Sequence, residues 1–310
     1  MKKNIIILLI AVSIAVSAIY FLIPSTQTLS VARLSKCTET GASRFILNPK
    51  KWQAWWPGKI TANNFYSYKN YIYRIDKIFF NSVKATIFSG TDSLKGTFSL
   101  IASKDSSIGF LWASPIVFSS NPVTRLLEYN RYGNFKTNID NLFDDMKIFF
   151  DKEENIYGIK IAREKIPASS MISLKQIFST YPTTSNQYQM IDLVNEYIER
   201  NGGEKIAAPM LNVHQEDAAH FEAMIAIPTN KDLPSAGNFS LKRFPGGYML
   251  KASVTGGIFK IANAEKEMEN YILDYQKSSP AIPYQSLVTN RLLVADSSKW
   301  ITEIFYPVFF

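Results

Sequence analysis

His214 and His220, the only two histidines of the chain, stand six apart around Gln-Glu-Asp-Ala-Ala. With Glu216 and Asp217 they offer the nitrogen and oxygen donors that suit zinc. Their spacing matches no helical pair and no fixed-distance ligand set, and the segment reads as a loop between strands, so no metal is expected. Glu222 and Glu303 are the carboxylates available for acid–base work, with Tyr197, Tyr248, Tyr284 and Tyr306 as aromatic hydroxyls in the same half. Each glutamate falls in a strand-like run, where alternation can simply turn it to solvent. Tyrosines in such runs are more often core residues with one hydrogen bond. Cys37 is the sole cysteine, which excludes an intramolecular disulfide, and it is expected buried rather than reactive. Phe244-Pro-Gly-Gly and Thr255-Gly-Gly read as turn glycines, and neither a phosphate-cradling glycine loop nor a G-x-S-x-G elbow occurs. No cofactor is expected.

The elements that must position these groups begin with an apolar run, Ile5 to Ile23, behind Lys2 and Lys3 and before Pro24. Nineteen residues make roughly 28 Å of helix, enough to cross a hydrocarbon core. The run serves either as an uncleaved anchor or as a signal cleaved after Ser17-Ala18. In both cases the basic flank stays inside and the remainder is exported, to the extracytoplasmic side of a membrane or to a secreted or periplasmic location.

Thr26 to Ser35 alternates as a first strand, and Ser43 to Leu47 reads as a short helix before Asn48-Pro49. Trp52, Trp55 and Trp56 form an aromatic cluster that could stack on a ligand but more simply plugs a cavity or core. Strand-like runs follow at Tyr66 to Phe79, Val83 to Phe88, Thr97 to Ala102 and Ile108 to Ala113, with a turn at Lys104-Asp105-Ser106, and together predict an antiparallel meander. Asn121 and Pro122 suit a helix cap and first turn, and Ile139, Leu142, Phe143, Met146 and Phe149 or Phe150 recur at helical spacing. The second half predicts strand-helix-strand-strand twice: Ile156 to Ala162, a helix over 184–199, strands at 209–213 and 221–228, then 239–244 and 247–255, a helix over 262–275, and strands at 285–288 and 302–308. Two such halves would share one sheet with a cleft where they meet. The fold class is therefore α+β, divided into residues 1–24, 25–153 and 154–310.

The formal charge is +8, but the basic residues are scattered, which suits an anionic membrane surface better than nucleic acid. Aromatic residues make up 14% of the chain, which argues for filled cores rather than disorder.

With its opening strand, Asn48-Pro49…Trp52…Trp55-Trp56-Pro57, meander and long last helix, the first domain resembles the polyketide-cyclase/START-like helix-grip superfamily. That resemblance implies a sheet curved around the last helix and an apolar cavity. The second domain resembles the GyrI-like small-molecule-binding domain, also known as the bacterial transcription activator effector-binding domain, through Phe221 to Pro228, Phe244-Pro-Gly-Gly-Tyr248, Tyr271 to Tyr275 and Thr302 to Pro307. No helix-turn-helix segment accompanies it. Relatives that bind cationic aromatic drugs carry a pocket glutamate on the strand after the second helix. The resemblance sets Gln285 near that position and Leu287 near the usual tyrosine, so the buried anion is expected to be missing and a neutral or weakly polar ligand is favoured. Some relatives instead hydrolyse electrophilic small molecules, which leaves a hydrolase or cyclase using Glu222 or Glu303 as an alternative. An envelope protein-interaction platform is a third. The expectation is a membrane-anchored protein that binds a small hydrophobic or amphipathic molecule through Glu222, Tyr197, Tyr248, Gln285, Glu303 and Tyr284.

Overall fold

The structure is a computed structural model and describes residues 2–62, 64–103 and 106–309. By internal packing the chain divides into two units, Met1–Lys152 and Glu153–Phe310. The fold is α+β, with one antiparallel sheet in each unit.

Unit 1 opens with helix α1 (Lys2–Leu22), whose apolar side chains are exposed along its length. Strand β1 (Thr26–Ser35) follows, then α2 (Glu39–Ile46), a 3-10 turn at Pro49–Lys51 and α3 (Trp52–Trp55). The meander comprises β2 (Lys59–Ala62), β3 (Phe65–Tyr68), β4 (Tyr71–Ile78), β5 (Ser82–Ser89), β6 (Asp92–Ala102) and β7 (Ile108–Val117). Its order is β1-β7-β6-β5-β4-β3-β2, with every pairing antiparallel. The run expected as one strand from Tyr66 to Phe79 breaks into β3 and β4 because Lys69 adopts a left-handed φ of 51° and turns the chain back. The turn expected at Lys104-Asp105-Ser106 falls partly outside the described residues.

Helix α4 (Pro122–Phe150) closes the unit. The Asn121 side chain accepts from the backbone N–H groups of Val123 and Thr124, and Pro122 fills the first helical position, where no donor is needed. Phe135, Ile139, Leu142, Phe143, Met146 and Phe150 form its buried stripe. Phe143 meets Phe98 at 5.2 Å, and Phe150 meets Phe110 at 5.3 Å, so the helix is held on the sheet by ring-to-ring packing.

Unit 2 begins with α5 (Glu153–Tyr157), where the sequence pattern predicts strand. Ile156 and Tyr157 are buried there, and the Tyr157 hydroxyl donates to Asp274 at 2.8 Å, so tertiary contacts override the strand propensity. Then come β8 (Ile161–Ile166), β9 (Ser169–Phe178), α6 (Thr184–Arg200), β10 (Met210–Gln215), β11 (Phe221–Thr229), β12 (Phe239–Phe244), β13 (Gly247–Thr255), α7 (Ile258–Asp274), β14 (Tyr284–Ser286) and β15 (Ile301–Pro307). The sheet order is β12-β9-β11-β10-β14-β15-β13-β8. Read outward from the centre, its halves repeat one another: β10, β11, β9 and β12 on one side, β14, β15, β13 and β8 on the other. Each half carries one helix, α6 or α7. Strands β12 and β13 do not pair with each other; after Pro245-Gly246 they run to opposite ends of the sheet.

Met190, Ile191, Val194 and Ile198 of α6 pack with Leu174, Leu211, Ile225 and Ile227 of the sheet in one apolar core. Leu193, which helical spacing would place on one face with Met190, Val194 and Tyr197, is exposed.

Candidate functional site

The two halves of the unit 2 sheet are joined at its centre through Met210↔Ser286 and Leu211↔Gln285, extended by the Leu287 N–H donating to the Pro209 carbonyl at 2.9 Å. Beyond Leu211 the strand β10 leaves β14, and the ladder opens. Asn212 spans the parting, its side-chain amide donating to the Pro283 carbonyl at 2.9 Å. A cleft of about 520 Å³ lies in this gap, within the range of small-molecule sites. Tyr181, Asn212, His214, Glu222, Glu265, Glu269, Tyr284, Gln285 and Tyr306 line it.

Helix α7 supplies two of the carboxylates. Ile261, Ala264, Met268, Tyr271 and Ile272 are its buried positions, and Glu265 and Glu269, one turn apart, flank that stripe and line the cleft. Glu265 accepts a hydrogen bond from the Gln285 amide nitrogen at 2.9 Å, and the Gln285 carbonyl oxygen accepts from the Arg291 guanidinium at 3.2 Å. Arg291 is buried; it also donates to Thr302 Oγ1 at 2.9 Å and lies over the Trp300 ring at 5.3 Å. Its backbone N–H donates to the Tyr188 hydroxyl at 2.7 Å, which locks the loop that carries it. Gln285 is thus an amide bridge between a half-buried carboxylate and a buried guanidinium.

Burial raises the Glu265 carboxyl above its ordinary value, helped by the Glu269 charge and opposed by the Gln285 hydrogen bond and Arg291. Burial likewise holds Tyr306 above the usual phenol range, reinforced by Glu269 and Glu265, and the Tyr306 hydroxyl donates to Glu269 at 3.3 Å. Burial, with Glu164 and Glu303 nearby, pushes Tyr284 up to about 12. All three groups stay in their hydrogen-bonding, uncharged or partly protonated forms more readily than in water.

The cleft adjoins a second hollow of about 430 Å³, with Asn212, Ile282 and Tyr284 lining both. Met171, Met210, Met224 and Met249 line this second space together with Phe244, and Lys175, Lys242 and Arg243 also border it. Unbranched thioethers fit apolar groups of varied outline.

Of the six residues expected to bind the ligand, Glu222, Tyr284 and Gln285 line the cleft, and so do Tyr306 and His214, also singled out in sequence. Glu222 does so while paired with Lys175 at 2.6 Å. The other three lie elsewhere. Tyr197 stacks on Phe239 at 4.2 Å and donates its hydroxyl to Pro234. The Tyr248 ring lies under the Arg163 guanidinium at 4.1 Å. Glu303 pairs with Lys251 at 3.0 Å, beside Glu164 at 3.1 Å from the same ammonium. The anion expected to be missing is present, carried by α7 and hydrogen-bonded to the very glutamine that stands in the strand position. Tyr181, Glu265, Glu269 and Arg291 were not singled out in sequence. The i, i+4 spacing at the border of the α7 stripe marks the two glutamates; no sequence signal marks Tyr181 or Arg291. Among the described residues no group of three or more His, Cys, Asp and Glu side chains is arranged to hold a metal ion; His220 instead meets exposed Asp217 at 2.9 Å.

Trp52, Trp55 and Trp56 of unit 1 are buried and each indole N–H is satisfied internally: Trp52 on Ile46 O at 2.8 Å, Trp55 on Phe45 O at 3.4 Å, Trp56 on Ser67 O at 2.9 Å. The space left beneath them is about 20 Å³, room for roughly one water.

No family model matches the chain, and no curated protein does. Among solved structures, it is similar to the EcmrR C-terminal domain at 18% identity and a TM-score of 0.43, over 49% of this chain and 98% of that one. It is similar to SAV2435 bound to tetraphenylphosphonium at 14% identity and a TM-score of 0.33, over 49% and 94%. A hydrolase from Listeria innocua matches at 11% identity and a TM-score of 0.37, over 48% and 92%. What the cleft can do follows from its own geometry.

Proposed function

We propose that unit 2 is a GyrI-like receptor domain that binds a small amphipathic molecule non-covalently. The observation that carries this is the junction of an acidic, tyrosine-lined cleft with a methionine-lined hollow through the shared Asn212, Ile282 and Tyr284. A ligand with an apolar body and a cationic or strongly hydrogen-bonding head fits both. The head meets Glu265, Glu269 and the faces of Tyr181 and Tyr306, where ring quadrupoles and carboxylates favour positive charge. Binding is favoured over hydrolysis because Glu222 and Glu303, the candidate catalytic acids, are each held in an ion pair with a lysine.

Unit 1 is proposed as a START-like helix-grip domain whose space beneath the tryptophans is filled, so that it serves as a scaffold rather than a second receptor. The exposed apolar α1, with a mean hydropathy of 2.9 over its spanning window, supports a single-pass anchor with both units on the extracytoplasmic side. A chain recovered from membranes without its first 18 or so residues would replace the anchor with a cleaved signal.

The test is fluorescence anisotropy of the cationic dye rhodamine 6G against the full chain in nanodiscs, beside an uncharged dye of similar size. Saturable binding that prefers the cation, with the preference lost in a Glu265→Gln/Glu269→Gln variant, is expected. Absence of saturable binding of either dye beyond empty nanodiscs would overturn the proposal.

A further inference from the structure

The end of α1 is fastened to the start of α4. Arg125, buried, donates to Ile23 O at 3.1 Å and Ser119 O at 2.8 Å and lies over the Tyr20 ring at 4.7 Å. The Tyr20 hydroxyl donates to Ser120 O at 2.5 Å, and Phe118 N–H donates to Ser25 O at 2.9 Å. Ile23 O, which accepts the Arg125 guanidinium, lies just past the end of α1, where a cation also meets the negative end of the helix dipole. These bonds set the first turns of α4 beside the last turn of α1.

The outward face of α4 changes character along its length. Val123 is 66% exposed and Leu127 61%, with Leu126 beside them at 49% and Val117, the last residue of β7, at 74%. The same stripe continues through Asn130, Asn134 and Thr137, all polar and exposed, and farther along it Ile148 stands as a single exposed apolar residue rather than a patch. An apolar patch on the outside of a soluble domain, confined to the end fastened to an apolar helix, calls for an apolar medium at that level. Val123 to Leu127 spans about 6 Å of helix, the depth that interfacial helices reach into the headgroup–acyl boundary, about 5–10 Å. Tyr20 and Arg125 are the aromatic and cationic types that settle at that boundary.

We propose that Val117, Val123, Leu126 and Leu127 form a membrane-docking surface that seats unit 1 in the lipid interface, so that the unit rests on the bilayer rather than swinging from a tether. This rests on the anchor proposed above, and the test separates the two. Single cysteines are placed in a Cys37→Ala background at Phe21→Cys, Leu127→Cys and Thr137→Cys, all exposed positions, and labelled with an environment-sensitive fluorophore. The full chain is then reconstituted into phosphatidylcholine vesicles carrying nitroxide-labelled acyl chains. The expected result is a blue-shifted, strongly quenched emission at Phe21 and Leu127 and none of this at Thr137. Quenching at Phe21 with Leu127 behaving like Thr137 would overturn the docking surface and leave the anchor standing. Quenching at none of the three would overturn the anchor and the docking surface with it.

Discussion

In unit 1 the space between the sheet and the second half of α4 is taken up by indole and phenyl rings, and a hollow of about 270 Å³ remains toward the first half of the helix, beside Leu29, Ile116 and Tyr132, whereas in unit 2 a gap of about 520 Å³ stays open at the centre of the sheet. The difference does not lie in the number of aromatic groups at hand, since Tyr181, Tyr284 and Tyr306 line the gap. It lies in how the polar atoms are satisfied. The indole N–H groups of Trp52, Trp55 and Trp56 reach backbone carbonyls within their own segment or the facing strand, so the rings can close on one another at 4.8 and 5.7 Å. In unit 2 the groups at the gap are carboxylates and an amide. Drawing Glu265 and Glu269 together over a collapsed cleft would desolvate like charges with no cation paired to either. Ring packing and an open cleft thus come from comparable β-rich frames, separated by the polarity at the seam.

The most severe way to break this contrast is to hollow out unit 1. Trp52, 2% exposed and stacked among Trp55, Trp56 and Tyr66, is the centre of the filling. Trp52→Ala is expected to cost about 3–5 kcal/mol of unit 1 stability. Urea unfolding followed by tryptophan emission can measure this. A cost under about 1 kcal/mol would mean the indoles are not the filling they look to be.

Next in size is the charge at the seam of unit 2. Glu265→Gln is expected to weaken a cationic dye about tenfold, near 1.4 kcal/mol, with little effect on a neutral one. A cation draws Glu265 toward its ionised form, so affinity should rise with pH through the raised Glu265 pKa and flatten in the variant. Equal loss for both dyes would point to a change of shape rather than of charge.

How much of this could be read from residues alone differed between the units. Helix α4 was legible because its cap, first-turn proline and apolar period all agree. The repeat of unit 2 was legible from its strand and helix succession, yet β9 was not, although it pairs with both β11 and β12. Ile172 and Leu174 face the core, but Met171 and Ile177 on the other face blur the alternation, so SSMISLKQIF carries no clean period. At the site, Gln285 and Tyr284 were readable on their strand. Glu265 and Glu269 sit in Glu-Lys-Glu-Met-Glu, which alone looks like a solvated helix face. Arg291 lies in a loop with no pattern at all. What makes these three a constellation is the tertiary pairing of α7, β14 and the following loop, and no local period encodes it.

The helix ends offer a control in which the two units should not differ. Asn121 caps α4 and Thr183 caps α6, the latter in a reciprocal capping box with Asn186. Asn121→Ala and Thr183→Ala are each expected to cost about 1 kcal/mol, in unit 1 and unit 2 respectively. A much larger effect in either, measured by urea unfolding, would show that its stability is concentrated at an end rather than in its interior.

The smallest effect separates the units by sign. Asp151, in unit 1, is pushed up by burial but held below its ordinary value by Lys147, the Lys36 N–H and the Ser35 hydroxyl together. Its contribution is therefore present above the unfolded aspartate value, about 3.9, and lost as pH falls through the lower native value. Because the carboxylate is partly exposed, the size is under about 1 kcal/mol. Glu265, in unit 2, is raised, so its contribution is complete below the unfolded glutamate value, about 4.3, and lost as pH rises through its native value. Acidification should then weaken unit 1 through Asp151 while relieving unit 2 through Glu265. The two are separable by optical probe, because Trp300 alone reports on unit 2 and the other four tryptophans on unit 1. Asp151→Asn should remove the acid-side slope of unit 1 only, and Glu265→Gln the slope of unit 2 only. If both units weaken in parallel on acidification and neither variant changes its slope, the carboxylate at the seam is not the strained group that keeps the cleft open.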